Sequence, residues 1–194
     1  MNFKHFLWGA ALCLLWAYPA QAQPRSIDGV PLTKVPGVVI SVGQSGDARV
    51  PLVRAAVEHW NQLLAGIGSG FRLGPVSLDG TGSAQPGMIV VVLSDGEFIS
   101  HVNRSPGGQG AVAMIRNTNS PPMSLRNVAR NVIAHELGHA IGLGHNADPA
   151  MLMCGRPAPC RPALFASQTP RYFPLSAGDR ANLLAMYPAR WRGQ

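Results

Sequence analysis

The segment 135–145 reads HELGHAIGLGH, and it constrains this chain more than any other feature of its 194 residues. His135 and His139 are four positions apart, so on a helix their imidazoles project from one face and can share a cation. Gly142 permits backbone angles that end a helix, and the following turn brings His145 round as a third ligand. The segment therefore predicts a helix that ends at a metal site.

Three protein ligands leave one position of a tetrahedral zinc ion open, which is typical of catalytic rather than structural sites. Glu136 directly follows the first ligand, where a carboxylate reaches a water at the open position without binding the metal itself. We predict one catalytic Zn²⁺ held by His135, His139 and His145, with Glu136 as the general base. The alternative, three core histidines on a helix, requires all four residues to coincide by chance.

The first 22 residues have the pattern of a secretory signal peptide. Lys4 and His5 precede the apolar run 6–17, and Ala20-Gln21-Ala22 forms an A-x-A cleavage site. The alternative is an uncleaved membrane anchor, but the apolar run is shorter than the roughly 18 residues of a spanning helix. We expect a secreted or periplasmic protein, without stable membrane insertion, whose residues 23–194 form one catalytic domain without a folded propeptide.

Two cysteines, Cys154 and Cys160, remain after cleavage. An even pair in an exported protein predicts a disulfide, which would stabilise so short a loop by roughly 2 kcal/mol. The alternative is two free thiols on a surface turn. We hypothesise that the bridge shapes a loop beside the metal site.

Charge and composition exclude several classes of protein. The hydrophobic fraction of 46% excludes a disordered chain. The formal net charge of +7 is consistent with an anionic surface or an acidic substrate as partner. The arginines are scattered, however, and no basic cluster is interleaved with aromatic residues as in nucleic-acid interfaces. We favour biased residue usage and expect no nucleic-acid partner.

Hydrophobic periodicity predicts a mixture of strands and helices. The predicted strands are 38–42, 71–76, 88–93 and 111–116. The predicted helices are 51–65, one that begins near 125 after a Ser124 cap, and one that begins with the capping box of Ser176 and Asp179. In the last helix, the residues predicted to point inward are Leu183, Leu184 and Met186.

With the motif at 135–145, the chain resembles the metzincin metallopeptidases and looks most like their matrixin branch. The resemblance implies an α+β fold with a twisted, mixed, mostly parallel sheet, two long helices, a Met-turn and a C-terminal helix. Matrixin spacing selects Met153 rather than Met151 for the Met-turn. The segment 110–114 is similar to the matrixin edge strand, which implies that the substrate pairs near Val112 and Ala113.

The chain also departs from matrixins. After the predicted cleavage, only His59 and His101 are spare histidines, with His59 expected on the surface, and the acidic residues form no calcium-binding loop. Structural zinc or calcium is therefore not supported. The resemblance implies a monomeric zinc endopeptidase that acts on proteins or peptides. Two alternatives remain: a zinc-holding protein that binds peptides or surfaces without turnover, and a peptidase restricted to one partner.

Overall fold

The computed structural model describes residues 31–43, 45–78, 86–97, 99–155, 160 and 169–193. The predicted signal peptide lies outside these residues. Among the described helices, none has both the length and the apolar character needed to cross a membrane.

Among the residues that the structure describes, one five-stranded sheet forms a layer of the fold. Its strands in chain order are β1 (Gly37–Val42), β2 (Val76–Leu78), β3 (Met88–Leu93), β4 (His101–Arg104) and β5 (Gly110–Ile115). In space the order is β2-β1-β3-β5-β4, with parallel pairing everywhere except between β4 and β5. The mixed, mostly parallel sheet confirms the predicted fold class. β3 is the most apolar strand and lies at the centre, where both of its neighbours are parallel strands.

In the described part of the chain, three α-helices accompany the sheet. They are α1 (Val50–Gly66), α2 (Arg126–Ala140) and α3 (Ala177–Met186). Pro51 lies in the first turn of α1, as predicted, and the buried face of α1 consists of Leu52, Val53, Ala56, Val57, Trp60 and Leu64. The indole Nε1 of Trp60 donates a hydrogen bond to the carbonyl of Ala134 at 2.8 Å, which holds α1 against α2. The apolar core lies between these two helices and the sheet.

The capping box predicted for the last helix is confirmed. The hydroxyl of Ser176 accepts a hydrogen bond from the backbone of Asp179, and the Asp179 carboxylate accepts one from the backbone of Ser176, each at 3.0 Å. Leu183 and Met186 are buried, but Leu184 is 37% exposed and its predicted inward orientation was wrong. Residues three apart on a helix share a face, whereas the next residue is rotated by about 100°.

Two predicted boundaries are also corrected. The strand predicted at 71–76 begins only at Val76, because Leu73 exchanges both of its backbone hydrogen bonds with the side-chain amide of Asn61 on α1 instead of with a strand. The N-cap of α2 is Leu125 rather than Ser124, and no side chain caps this end.

The position of β5 corrects a further expectation. Val112 and Ala113 were expected on the edge strand, but β5 pairs with β3 on one side and with β4 on the other. Within the part of the chain that the structure describes, β4 is the outer strand at this end of the sheet. The four residues of β4, HVNR, are too short and too polar to predict a strand from sequence, because their pairing with β5 is what makes them one.

Candidate metal centre

The three histidines of the motif converge at the C-terminal end of α2. His135 and His139 lie one turn apart on the helix, which ends where Gly142 adopts a φ of 107°. Leu143 then donates a backbone hydrogen bond to Gly138 at 2.9 Å and closes the turn. The Nε2 atom of His139 lies 2.9 Å from that of His135 and 3.0 Å from that of His145, and the remaining pair is 3.2 Å apart.

At two of the three histidines, a hydrogen bond at Nδ1 leaves Nε2 able to bind a cation. The Nδ1 atoms of His135 and His139 lie 2.8 Å and 2.7 Å from the carbonyl oxygens of Leu152 and Leu143. A carbonyl only accepts, so each Nδ1 carries the proton and each Nε2 presents a lone pair. Lone pairs that converge in this way repel one another without a cation, and the nitrogens of a tetrahedral zinc site lie about 3.3 Å apart. The residues present therefore fit zinc.

Glu136 lies in the same cleft and is 6% exposed. Burial raises the pKa of its carboxyl group to about 7, because the charged form loses its hydration. A cation held by the neighbouring imidazoles would act on this pKa in the opposite direction. The arrangement places one buried carboxyl group beside the three ligands.

A methionine packs beneath the metal centre. Met153 is fully buried, whereas Met151 is half-buried. The Sδ atom of Met153 lies close to Gly138, the residue that precedes His139 on α2. A Cβ added to Gly138 would stand only 2.5 Å from this sulfur. The turn around Met153 is tied to the residue after the third ligand, since Asn146 donates to the carbonyl of Met153 at 2.8 Å.

The same turn also packs against the third ligand. Gly155 donates a backbone hydrogen bond to Asn146 at 3.0 Å, and its Cα lies so close to the His145 imidazole that a Cβ would overlap the ring. Cys154 is joined to Cys160 by a disulfide with Cα atoms 5.8 Å apart. Asn146 is held from outside as well, because its side-chain amide donates to the Asp179 carboxylate at 2.9 Å.

An open cleft of about 460 Å³ runs between α2 and β4. Its lining residues are Ser100, His101, Val102, Arg104, Glu136, His139, Gly142, Leu143 and His145. His145 is the exposed member of the triad, so the metal centre opens to solvent within this cleft. Val112 and Ala113 do not line it.

Sequence reasoning missed the three β4 residues of this cleft, His101, Val102 and Arg104, because β4 itself was missed. His59, expected on the surface, is half-buried instead, with its ring stacked on that of Tyr172 at a centroid distance of 3.8 Å. The sequence signal of β4 is limited to one alternation, in which Val102 and Arg104 take turns with His101 and Asn103. Four residues are too few to identify a strand from such a pattern.

Comparisons with known proteins do not assign a family. No protein-family model and no curated protein matches the chain. Among solved structures, it is similar to an archaemetzincin from Methanopyrus kandleri, with 15% identity over 81% of this chain and 98% of that one and a TM-score of 0.48. Values this low assign no activity. None of these findings supports the matrixin branch in particular.

Proposed function

We propose that this chain is an exported zinc-dependent endopeptidase of the metzincin type. The observation that carries the proposal is the convergence of three imidazole Nε2 atoms, within 3.2 Å of one another, beside one buried carboxyl group in an open cleft. Three ligands that leave a position open are typical of catalytic zinc. A zinc-holding protein without turnover has no use for the carboxyl group of Glu136 at this place.

Glu136 serves as the general base and acid of peptide hydrolysis in this proposal. Zinc bound at the site supplies a Lewis acid that polarises the scissile carbonyl and lowers the pKa of water. The Glu136 carboxylate accepts a proton from the attacking water and then donates it to the leaving nitrogen. Burial favours the protonated form of this carboxyl group and so makes it a better proton acceptor, whereas bound zinc would act to lower its pKa.

The substrate lies along β4 in this proposal, rather than along β5 as the resemblance implied. β4 lines the cleft through His101, Val102 and Arg104, and in the described residues its outer edge is not paired with another strand. An extended peptide adds to such an edge through backbone hydrogen bonds, which select for conformation rather than for sequence. This pairing would place the peptide beside the imidazoles.

The remaining parts of the proposal concern state and compartment. We propose a single catalytic zinc ion, a monomer, and export through cleavage after residue 22, with residues 23–194 as the catalytic domain. The disulfide of Cys154 and Cys160 supports an oxidising compartment. Protein or peptide substrates follow from the proposed endopeptidase activity.

The test uses the full chain, expressed with its own leader in a host that exports it. The exported protein is purified, its N-terminus and zinc content are determined, and it is offered a mixed peptide library. Wild type is expected to hold one zinc ion and to cleave. Glu136→Gln is expected to keep the zinc and to lose about 10²- to 10⁴-fold in kcat, the usual contribution of a general acid–base group.

Glu58→Gln is the matched control, because Glu58 is exposed on α1, and it should leave both zinc content and cleavage unchanged. A wild type that binds zinc and cleaves nothing in the library would overturn the general endopeptidase. The alternatives would then be a binding protein without turnover or a peptidase with one partner. A wild type that binds no zinc would overturn the metal centre itself.

A further inference from the structure

Arg104 occupies a position on β4 where the alternation of inward and outward side chains predicts an apolar residue. Arg104 is directly opposite Ala111 across the β4–β5 ladder, and Val102 is opposite Ala113. Residues opposite one another in an antiparallel pair point to the same face. Ala111 and Ala113 are buried, so Arg104 lies on the face of the sheet that is directed towards the helices.

The guanidinium of Arg104 reaches the end of α2. Its Nη1 lies 3.6 Å from the position that a Cβ on Gly142 would occupy, three residues after the second metal ligand. Arg104 is half-buried, and this burial, partly opposed by Tyr187, lowers the pKa of the guanidinium. A cation that has lost part of its hydration interacts more strongly with an opposite charge than one in bulk water does.

The charges of the cleft are unequal. Its lining residues include one arginine, Arg104, and one carboxylic acid, Glu136. In the proposed function, Glu136 transfers protons. With zinc bound to three neutral imidazoles, the cleft would carry a clear excess of positive charge. A planar guanidinium binds a carboxylate through two parallel hydrogen bonds, which are stronger than bonds between neutral groups.

We propose that Arg104 is a specificity-determining residue that selects substrates with a carboxylate close to the cleaved bond. This inference rests on the proposed endopeptidase function and names its substrate class, acidic peptides. The carboxylate belongs to an Asp or Glu side chain or to the free C-terminus of the peptide, since the two are chemically alike.

The experiment compares matched peptides on the exported, zinc-loaded protein. A sequence that wild type cleaves is prepared with Glu or with Gln at each position around the cleaved bond, and each peptide has a free or an amidated C-terminus. Wild type is expected to favour the carboxylate at one position by about 10- to 100-fold in kcat/KM, the range of a charged hydrogen bond. Dependence on amidation would identify the C-terminal carboxylate as the source.

The variants separate specificity from structure. Arg104→Gln is expected to lose the preference, so that it cleaves the Glu and the Gln peptide with nearly equal kcat/KM, and to keep its zinc. Arg104→Lys is expected to retain part of the preference, because the charge remains while the bidentate geometry is lost. Arg180→Gln removes an exposed arginine of α3 and should behave as wild type.

Two results would overturn the inference and leave the peptidase intact. One is equal cleavage of the Glu and Gln peptides by wild type. The other is an unchanged preference in Arg104→Gln; if that variant loses activity on both peptides by the same factor, Arg104 has a structural role. Where Arg104→Gln does not fold, wild type and Arg104→Lys decide the question. If wild type cleaves no peptide at all, the proposed function fails, and this inference fails with it.

Discussion

The imidazole of His145 lies directly against the Cα of Gly155, with no room for a Cβ between them. The third metal ligand is thus held in place by backbone from the far side of the methionine turn. Packing of this kind restricts the ring to one orientation, as hydrogen bonds do at the other two ligands.

Gly155→Ala is therefore expected to weaken zinc binding by about 10- to 100-fold, the usual cost of disturbing the residues that orient a ligand. The added Cβ would overlap the His145 ring and force it away from the other two imidazoles. Competition with a chromogenic chelator measures the affinity. Gly178→Ala is the control, because a Cβ there meets only the Ser176 hydroxyl at 3.7 Å. Wild-type affinity in Gly155→Ala would contradict the prediction.

Gly138→Ala is expected to lower the free energy of unfolding by about 1–3 kcal/mol through overpacking. The added Cβ would stand 2.5 Å from the sulfur of Met153 and 3.1 Å from Cζ2 of Trp60. Met153→Ala alone leaves a cavity that costs about 2–5 kcal/mol. The double variant should cost less than the sum, because the vacated space accepts the new methyl group. Urea denaturation of all four proteins tests this, and strict additivity would argue against the contact.

Asp47→Asn is expected to destabilise the protein at pH 7, because Asp47 is the main partner of a buried cation. Arg49 is 3% exposed and donates to the Asp47 carboxylate at 2.6 Å and to the carbonyl of Ser94 at 2.9 Å. Burial acts to raise the pKa of Asp47, but hydrogen bonds and the charge of Arg49 lower it overall. The stabilisation is therefore present above the ordinary value of 3.8 and is lost as pH falls through the lower folded pKa.

Denaturation of wild type and Asp47→Asn from pH 7 to pH 3 measures this difference, which should narrow only below pH 3.8. Arg49→Met should cost about 3–5 kcal/mol, since it leaves the Asp47 carboxylate buried without its cation. Arg54→Met, which alters an exposed arginine on α1, is the control and should cost far less. A constant difference across the whole pH range would contradict the linkage.

His59 is expected to contribute a loss of stability to wild type as the pH falls from 6.5 to 4. Burial, followed by the charge of Arg130, lowers the pKa of His59 from 6.5 to about 4, and its ring is stacked on Tyr172. In this window the unfolded chain binds the proton and the folded protein does not, so stability is lost as pH falls. Screening at this half-exposed site reduces the loss to about 1–2 kcal/mol.

His59→Phe keeps an aromatic ring against Tyr172 and removes the titrating group. The difference in free energy of unfolding between wild type and this variant is expected to shift against wild type as the pH falls across the same window, because all other titrating groups, Glu136 included, are common to both proteins. Glu58 and Arg130 also lie near this stack, and both are the same in the two proteins. Identical profiles of stability against pH for the two proteins would show that His59 does not cause the loss.

The double variant Cys154→Ser/Cys160→Ser is expected to lower the free energy of unfolding by roughly 2 kcal/mol, because it releases one short loop. Cys154 immediately precedes Gly155, which contacts the third ligand. We therefore also expect a changed cleavage-site preference, measured on the same peptide library. If the cleavage-site preference is unchanged, the hypothesis that the bridge shapes the substrate pocket is wrong, whatever the effect on stability.

Local patterns were sufficient for much of this fold. The helix of residues 50–66, the apolar strand at 88–93 and the capping box at Ser176 each depend on side chains near in sequence, and each was predicted within a residue or two. The strand expected at 71–76 failed for the opposite reason. A side chain from α1, Asn61, takes the backbone hydrogen bonds that a neighbouring strand would otherwise take.

In the candidate site, too, the local features could be predicted from the sequence and the contacts between distant segments could not. By itself, the sequence determined that His135, Glu136 and His139 lie on one helix and that Gly142 ends it, because helical spacing and glycine conformations are local properties. Only the tertiary structure decided that β4 rather than β5 borders the cleft, that Arg104 lies there, and that Gly155 supports His145. Those relationships join segments distant along the chain, and they exist only once the sheet and helices have packed together.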